Sequence, residues 1–265
     1  MPIAHLSDRA LVKMSGPDVK EFLQGQLTND ISRLTPDAPL YAGILTPQGK
    51  ALFPIILFTD GAEVWIDVAA SRADALIRRL AMFRLRRKVE IAAAAELAVY
   101  ARWGEESPHA RDPRLAALGS RWLARAGSEE VTADIDAWHR HRLALGIPEA
   151  DEIGDGELMW LETNGHELNG TSFTKGCYTG QENVARMHHR DKLRRRLLPL
   201  DMGEATEDAP VMADDRIIGS LRGRRHGRLQ MAHLRVESLG KPLSVGGEPV
   251  SVVVPEWLRE AELSS

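Results

Sequence analysis

Three apolar segments separated by two short turn signals constrain the fold of this chain more than any other feature. They read "LYAGIL", "ALFPIILF" and "EVWIDV", and they are joined by "TPQGK" and "TDGA". Pro47 and Gly49 mark the first turn, and Asp60 with Gly61 marks the second. Such segments are typical of an antiparallel strand meander, and a sheet of this kind needs helices to cover its apolar face. The sequence therefore predicts an α+β fold.

Two helical patterns flank the meander. The stretch "SGPDVKEFLQGQLTND" predicts a helix that is capped by Ser15 and has Pro17 in its first turn. The stretch "SRADALIRRLAMFRLRRKV" predicts a second helix, which is capped by Ser71 and turns Phe83 inward. Together with the strands, these helices predict a first α+β module at residues 1–92.

The remaining sequence changes its pattern near residue 196. Before this point, strands are predicted near residues 97–102 and 121–126, and a helix is predicted from Ala133 to Leu145. Beyond it, short apolar segments are broken by glycine and proline, which is typical of a small all-β barrel. We therefore predict a second α+β module at residues 93–196 and a C-terminal β-barrel at residues 197–265.

The 265 residues include a single cysteine, which excludes an internal disulfide and favours a reducing compartment. The N-terminal "MPIAHLSDRALVKM" lacks the basic and then apolar pattern of a signal peptide. No stretch of about 18 apolar residues without charge is present, so no membrane span is predicted. We therefore expect a cytoplasmic protein without a membrane partner.

The single cysteine, Cys177, lies in "SFTKGCYTGQENVARM". Thr179 and Glu182 have the spacing of a capping box, which predicts a helix beginning at Gly180. Cys177 would then lie near the positive end of that helix and close to Lys175, and both features favour the thiolate over the thiol. The segment therefore predicts a reactive or ligand-facing thiol.

Other interpretations of this cysteine are open at the level of residues. A lone cysteine can be a small buried apolar residue without chemistry. A cysteine hydrolase would need a histidine base, and His188 and His189 are the nearby candidates. The histidines have no carboxylate or thiol at ligand spacing, so no metal site is predicted. A P-loop and a dinucleotide fingerprint are both absent from the sequence.

The octapeptide "KGCYTGQE" resembles the signature of the YgfZ-type folate-binding proteins, which are relatives of the glycine-cleavage aminomethyltransferase. Four further segments resemble this family in the same order: "FLQGQLTND", "LTPQGK", "DPRLAALGSRWL" and "RLALGIPE". The resemblance implies three subdomains in a ring, namely two α+β modules and a C-terminal β-barrel. It also implies a central channel that binds tetrahydrofolate or a one-carbon derivative of it.

The resemblance further implies a role in maintaining iron–sulfur enzymes, including one that thiomethylates tRNA. Cys177 would be the functional thiol, assisted by Lys175. The implied partners are folate, iron–sulfur client proteins and tRNA-modifying enzymes. The residues implied to bind the folate are Asn29, Asp30, Glu162, Gly176, Tyr178, Gly180, Gln181, Glu182 and Arg186.

The main alternative is a tetrahydrofolate-dependent aminomethyl- or methyl-transferase in which Asp74 or Cys177 acts chemically. Ala70 and Ala73 stand where this branch has asparagine and lysine, and Ala144 stands where it has a pterin-binding glutamate. These departures favour an accessory factor over an enzyme. A third interpretation is an interaction scaffold with an inert cysteine.

Three basic segments occur in a chain of net charge -4, within residues 78–88, 186–196 and 216–228. Each is most simply a solvated face, but together they suggest anionic partners, such as the glutamate tail of folate or an RNA backbone. Only 5% of the residues are aromatic, and no basic and aromatic residues alternate as a stacking surface. Direct binding of nucleic acid is therefore not expected.

Overall fold

A computed structural model of the chain describes residues 1–104, 107–190, 193–206 and 208–263. The strands in these ranges are β1 Ile3–His5, β2 Arg9–Ser15, β3 Leu40–Leu45, β4 Ala51–Thr59, β5 Val64–Ala69, β6 Glu90–Ala93, β7 Leu97–Arg102, β8 Ser120–Arg125, β9 Arg195–Asp201, β10 Val211–Ala213, β11 Arg216–His226, β12 Leu229–Arg235, β13 Leu243–Val245 and β14 Glu248–Val252. The helices are α1 Val19–Gln24, α2 Ala73–Arg84, α3 Ile135–Ala144, α4 Ala150–Ile153, α5 Gln181–Arg190 and α6 Glu256–Leu263.

The predicted meander forms the centre of a five-stranded antiparallel sheet. Its strand order is β3-β4-β5-β2-β6, with Leu40 opposite Leu57 and Ile56 opposite Asp67. All six residues of β3 are buried, because the sheet is covered on both faces. This confirms the strand meander and the α+β class.

One face of the sheet is covered by α1 and α2, but four predictions about these helices are wrong. Helix α1 begins at Val19 after Asp18, so Pro17 precedes its first turn. Ser15 is the last residue of β2 and pairs with Glu90. Ser71 lies in a short helical turn before α2 and does not cap it. The ring of Phe83 is 39% exposed. In each case pairing or packing with distant segments overrides the local helical signal.

The opposite face of the sheet packs against a second, three-stranded sheet and the segments that follow it. The strand order of this second sheet is β1-β7-β8. Trp138 of α3 and Trp160 are fully buried in the core between these layers. Strand β1 pairs with β7, with Ala4 opposite Ala101, so the first strand crosses the predicted division at residue 92. The division into three modules stays a prediction.

The C-terminal part forms a closed β-barrel, as the short apolar segments predict. Its strand order is β10-β11-β12-β9-β14-β13, and β13 pairs with β10 to complete the barrel. Its interior is apolar, and Leu258 of α6 belongs to the same core. Among the described residues, every helix is too short or too polar to cross a membrane.

Candidate functional site

Cys177 is a free cysteine on an exposed loop that precedes α5. The neighbouring Gly176 is also exposed, and a Cβ atom at its position would meet no heavy atom within 4 Å. The sulfur is therefore accessible to a reagent, ligand or partner. The interpretation of Cys177 as a buried apolar residue does not apply.

Lys175 fixes one end of this loop from inside the protein. Its side-chain nitrogen donates to the carbonyl oxygens of Gln24 at 2.6 Å, Leu27 at 2.6 Å and Asn29 at 3.0 Å. An ammonium group has three N–H donors, so the three carbonyls match its donor capacity. Burial lowers the pKa of Lys175 to about 8, although the nearby charge of Asp30 opposes this shift. The three hydrogen bonds give Lys175 an anchoring role, and its predicted assistance of the thiol stays a prediction.

The other end of the loop rests on the turn between β3 and β4. Gly180 has a φ of +88°, and a Cβ atom there would lie 2.5 Å from the carbonyl oxygen of Thr46. Asn183 on α5 donates to the carbonyl oxygen of Gln48 at 3.0 Å. The glycine therefore allows two backbone segments to approach closely, and the start of α5 is held against the turn.

The predicted start of this helix is wrong by one residue, and the predicted capping box does not form. Helix α5 begins at Gln181. The backbone N–H of Thr179 donates to the carbonyl oxygen of Gly25 at 3.4 Å instead of to the Glu182 carboxylate. Glu182 is exposed. A contact with the segment after α1 thus replaces the local cap.

Tyr178 follows Cys177 and points into the protein. Its ring lies 5.1 Å from the ammonium nitrogen of Lys175, and the residue is 7% exposed. Its hydroxyl group has no hydrogen-bond partner among the described residues. Burial raises the pKa of Tyr178 to about 12. The residue that follows the exposed cysteine therefore carries a neutral, buried hydroxyl group that has no partner among the described residues.

Asn29 and Asp30 shape the segment to which Lys175 is anchored. The side-chain nitrogen of Asn29 donates to the carbonyl oxygens of Tyr41 and Asn169, and these contacts use both of its donors. Asp30 accepts from the backbone N–H of Ser32, and this hydrogen bond is the main reason that the pKa of its carboxyl group is lowered. The side chains of both residues therefore contact protein groups.

The other predicted residues occupy different positions. Glu162 lies in a short helical turn, Trp160–Thr163. One carboxylate oxygen of Glu162 is 3.3 Å from Nε2 of His233 on β12, so this residue faces the barrel. Gln181 is half-buried at the start of α5, and the exposed Arg186 donates to the Asn183 side chain. The structure joins Lys175 to Asn29 and Asp30 but places Glu162 in a separate contact.

Sequence reasoning missed a buried cluster of charged side chains, each at most 8% exposed. It contains four guanidinium groups and four carboxylates, from Arg9, Arg114, Arg121, Arg142, Asp67, Asp112, Glu149 and Glu152. Burial alone would raise the pKa of Glu149, but the surrounding guanidinium groups hold it well below its ordinary value. The signal was present in "DPR" and "GIPE", whose charged residues were used only as marks of the family.

This cluster borders a cavity of about 330 Å³ between the five-stranded sheet, α3 and α4. Charged side chains from all three parts line it, including Arg9, Arg142 and Glu149. Asp67, the buried aspartate of β5, is paired with Arg9 at 2.6 Å and with Arg121 at 2.5 Å. The cavity wall is therefore polar, and its guanidinium groups, Arg9 and Arg142, are paired with buried carboxylates.

The residues of the alternative transferase site lie at the surface. Asp74 is exposed in the first turn of α2, and Ala144 is exposed at the end of α3. Neither residue has the buried position that a binding site closed to water requires.

The three basic segments differ in how their charges are used. In the segment 216–228, Arg222 pairs with Glu157 and Arg228 pairs with Asp201. In the segment 186–196, Arg196 pairs with Glu167. Asp191 and Lys192 lie outside the described residues, and so does the side chain of Arg190. The segment 78–88 is exposed along most of its length.

Comparison with known proteins agrees with this architecture. Residues 194–260 match the model of the CAF17 C-terminal beta-barrel domain. The crystal structure of the glycine cleavage system aminomethyltransferase T from Bartonella henselae superimposes with a TM-score of 0.77 over 97% of this chain and 86% of that chain, at 14% identity. The fold of the chain is thus that of the aminomethyltransferase-like superfamily.

Relatives in sequence identify the branch. The mitochondrial iron–sulfur cluster assembly factor IBA57 of Mus musculus is 32% identical over 95% of this chain and 84% of its own length. The tRNA-modifying protein YgfZ of Klebsiella pneumoniae is 31% identical over 79% of this chain and 76% of its own length. The chain belongs to the family of IBA57 and YgfZ proteins, which confirms the resemblance found in "KGCYTGQE".

Proposed function

We propose that this protein is a folate-binding accessory factor that supports iron–sulfur enzymes and tRNA thiomethylation, with Cys177 as its functional thiol. The observation that carries the proposal is the exposure of Cys177 on a loop fixed at both ends. An exposed sulfur on an anchored loop is suited to a partner or cargo and not to packing. The two relatives, an iron–sulfur cluster assembly factor and a tRNA-modifying protein, supply the class of process.

The thiol would act together with a partner. Iron–sulfur clusters take four ligands, so one thiolate cannot hold a whole cluster. In this proposal the sulfur of Cys177 contributes one ligand to a cluster, while a client protein supplies the remaining ligands. The open space around Gly176 would allow a second protein to approach the sulfur.

The proposed folate site lies beside this thiol. Tyr178 supports it, because a buried hydroxyl group without a partner is costly and a pterin offers both donors and acceptors. Glu182 could accept from pterin N–H groups, and Arg186 could pair with the glutamate tail of the folate. Tetrahydrofolate would supply a one-carbon carrier. Asn29 and Lys175 would act by holding the loop in place.

A non-catalytic role is part of the proposal. Asp74 is exposed, and Asp67 is occupied by two guanidinium groups, so neither offers a free buried carboxylate for aminomethyl transfer. A tetrahydrofolate-dependent turnover assay separates the two functions, and measurable turnover would favour the transferase. The cytoplasmic location stays a prediction, whereas the IBA57 relative is a mitochondrial protein.

The folate part of the proposal is tested by alkylation. The full-length protein is treated with iodoacetamide with and without tetrahydrofolate, and modification of Cys177 is followed by mass spectrometry. The chain has no second cysteine, so the signal reports this site alone. We expect slower alkylation in the presence of tetrahydrofolate, and a smaller effect in Tyr178→Phe. Equal rates with and without ligand, at a ligand concentration that saturates binding, would reject a folate site beside the thiol.

The thiol part is tested by complementation in cells that lack their own family member, with thiomethylated tRNA as the readout. We expect Cys177→Ala and Cys177→Ser to lose activity while both proteins accumulate normally. Lys20→Met, which changes an exposed residue of α1, serves as the matched control. Full complementation by Cys177→Ala would instead support an interaction scaffold with an inert cysteine.

A further inference from the structure

The end of α2 forms an exposed tip, which we define as residues 78–88. Residues 81–88 are all exposed. Three of them are large and apolar: Met82 is 71% exposed, Phe83 is 39% exposed and Leu85 is 84% exposed. Single exposed apolar residues are ordinary, but several grouped together mark an interaction surface.

Leu85 has an unusual backbone conformation. Its φ is 53° and its ψ is -121°, and the backbone N–H of Arg87 donates to the carbonyl oxygen of Arg84 at 3.1 Å around it. These angles are close to the first central position of a type II′ turn, which is dominated by glycine. A leucine at this position is strained, and its side chain gains little burial in return. Glycine would relieve the strain and remove the exposed apolar group.

The charges of the tip are largely uncompensated. Arg87 pairs with Glu21 at 2.8 Å. Four other exposed cations have no ion-pair partner among the described residues, namely Arg78, Arg84, Arg86 and Lys88. The protein as a whole has a net charge of -4, so the positive charge of the tip is a local excess of opposite sign. A partner with negative charge is therefore attracted to the tip.

One contact holds the apolar part of the tip in place. The guanidinium group of Arg79 donates to the carbonyl oxygen of Leu45 at 2.9 Å and lies 4.9 Å from the centre of the Phe83 ring. The ring is thus held against the protein while the residue stays 39% exposed. An apolar group fixed in this way loses little side-chain entropy when a partner binds.

We propose that the tip at residues 78–88 is a docking surface for an acidic and apolar segment of a protein partner. Leu85 and Met82 would pack against the apolar residues of that segment, and the surrounding arginines would pair with its carboxylates. This inference does not depend on the folate or the thiol. It is based on the grouped apolar exposure, the strained leucine and the uncompensated cations.

The composition of the tip favours a protein partner over an RNA or an anionic membrane. Five of its six cations are arginines, and arginine, methionine and phenylalanine are enriched in protein interfaces, where arginine pairs with carboxylates through two parallel hydrogen bonds. A single-stranded RNA would need several free aromatic rings, and the tip has only Phe83. A bilayer would favour a longer apolar face than the end of one helix provides.

The test uses a fluorescein-labelled helical peptide with glutamates on one face and leucines on the other, titrated with the full-length protein. We expect Leu85→Gly to bind at least about tenfold more weakly, which is the loss of one buried anchor residue. We also expect its thermal midpoint to be unchanged or higher, because the glycine removes the strain. This combination distinguishes a docking residue from a structural one.

Ile217→Ala is the matched control, since Ile217 is 63% exposed on β11 and also follows an arginine. It should leave peptide binding unchanged, whereas Arg86→Glu should weaken it. The inference is overturned if the wild type does not bind the peptide, if Leu85→Gly binds it equally well, or if Leu85→Gly has a lower thermal midpoint. Tighter binding to phosphatidylserine vesicles or to a single-stranded RNA, lost in Leu85→Gly, would also overturn it in favour of a membrane or an RNA.

Discussion

The side-chain nitrogen of Lys175 lies 2.6 Å from the carbonyl oxygen of Leu27, although 148 positions separate the two residues in the chain. This hydrogen bond and its two neighbours attach the cysteine loop to the segment that follows α1. The position of the thiol therefore depends on a lysine that does not itself take part in the proposed chemistry.

Lys175→Met should destabilise the protein. The substitution removes three donors and leaves carbonyl oxygens in a buried site without partners, which costs about 1–3 kcal/mol for each group that water cannot reach. We expect the free energy of unfolding, measured with urea, to fall by about 2–4 kcal/mol. Lys20→Met, at an exposed position, should change it by less than about 0.5 kcal/mol. Equal effects of the two variants would contradict the anchoring role.

The same lysine predicts a dependence of stability on pH. Burial lowers the pKa of Lys175 to about 8, whereas a lysine in the unfolded chain titrates near about 10.4. Between these values the unfolded chain binds more protons than the folded protein, so the free energy of unfolding rises with pH. The advantage of the wild type over Lys175→Met should therefore grow from pH 8 toward about 10. An advantage that shrinks over this window would mean that burial does not control this amine.

The two glycines of the loop should respond differently to alanine. At Gly180 a Cβ atom would lie 2.5 Å from the carbonyl oxygen of Thr46, and the φ of +88° is unfavourable for alanine. We expect Gly180→Ala to lower the free energy of unfolding by more than about 2 kcal/mol. Gly176 has open space around it, so Gly176→Ala should be nearly neutral. Chemical denaturation of both variants, with the alkylation rate of Cys177 as a second readout, checks this pair.

Glu149→Gln should destabilise the buried charge cluster. It leaves four guanidinium groups facing three carboxylates, and an uncompensated buried charge costs about 3–5 kcal/mol. Glu130→Gln, at an exposed position, is the matched control. Denaturation at neutral pH measures the difference, and a loss as small as that of the control would show that the cluster does not depend on this carboxylate.

Acid should reduce this difference between the wild type and Glu149→Gln. The surrounding guanidinium groups hold the pKa of Glu149 well below its ordinary value, which is about 4.3 in an unfolded chain. Below that value the unfolded chain binds a proton that the folded protein does not, so the stability gained from the ionised carboxylate is fully present above about pH 4.3 and is lost as the pH falls. Parallel stability curves down to low pH would contradict the lowered pKa.

Features set by neighbouring residues were predictable from the sequence. The meander follows from apolar segments and turn residues that lie next to each other, and the barrel follows from short strands broken by glycine and proline. The accessibility of Cys177 was suggested by the glycines and the lysine around it, which are poor core residues. The family was identified from eight consecutive residues and confirmed by relatives over most of the chain.

Features set by long-range contacts were not predictable in the same way. The Thr179 cap was replaced by a hydrogen bond to Gly25, and Phe83 was left exposed because α2 ends at a strained turn. The charge cluster joins Arg9, Asp67 and Arg121, which lie on three different strands. No local pattern indicates which carboxylate faces which guanidinium group.

The sequence by itself determined the α+β class, the C-terminal barrel, the family and the loop that carries the only cysteine, because each depends on residue types at short spacing. The tertiary structure alone decided that Lys175 anchors this loop, that Tyr178 keeps an unpaired hydroxyl group beside it, and that Leu85 is exposed at a strained turn. These properties depend on contacts between residues that are far apart in the sequence, and such contacts exist only when the chain is folded.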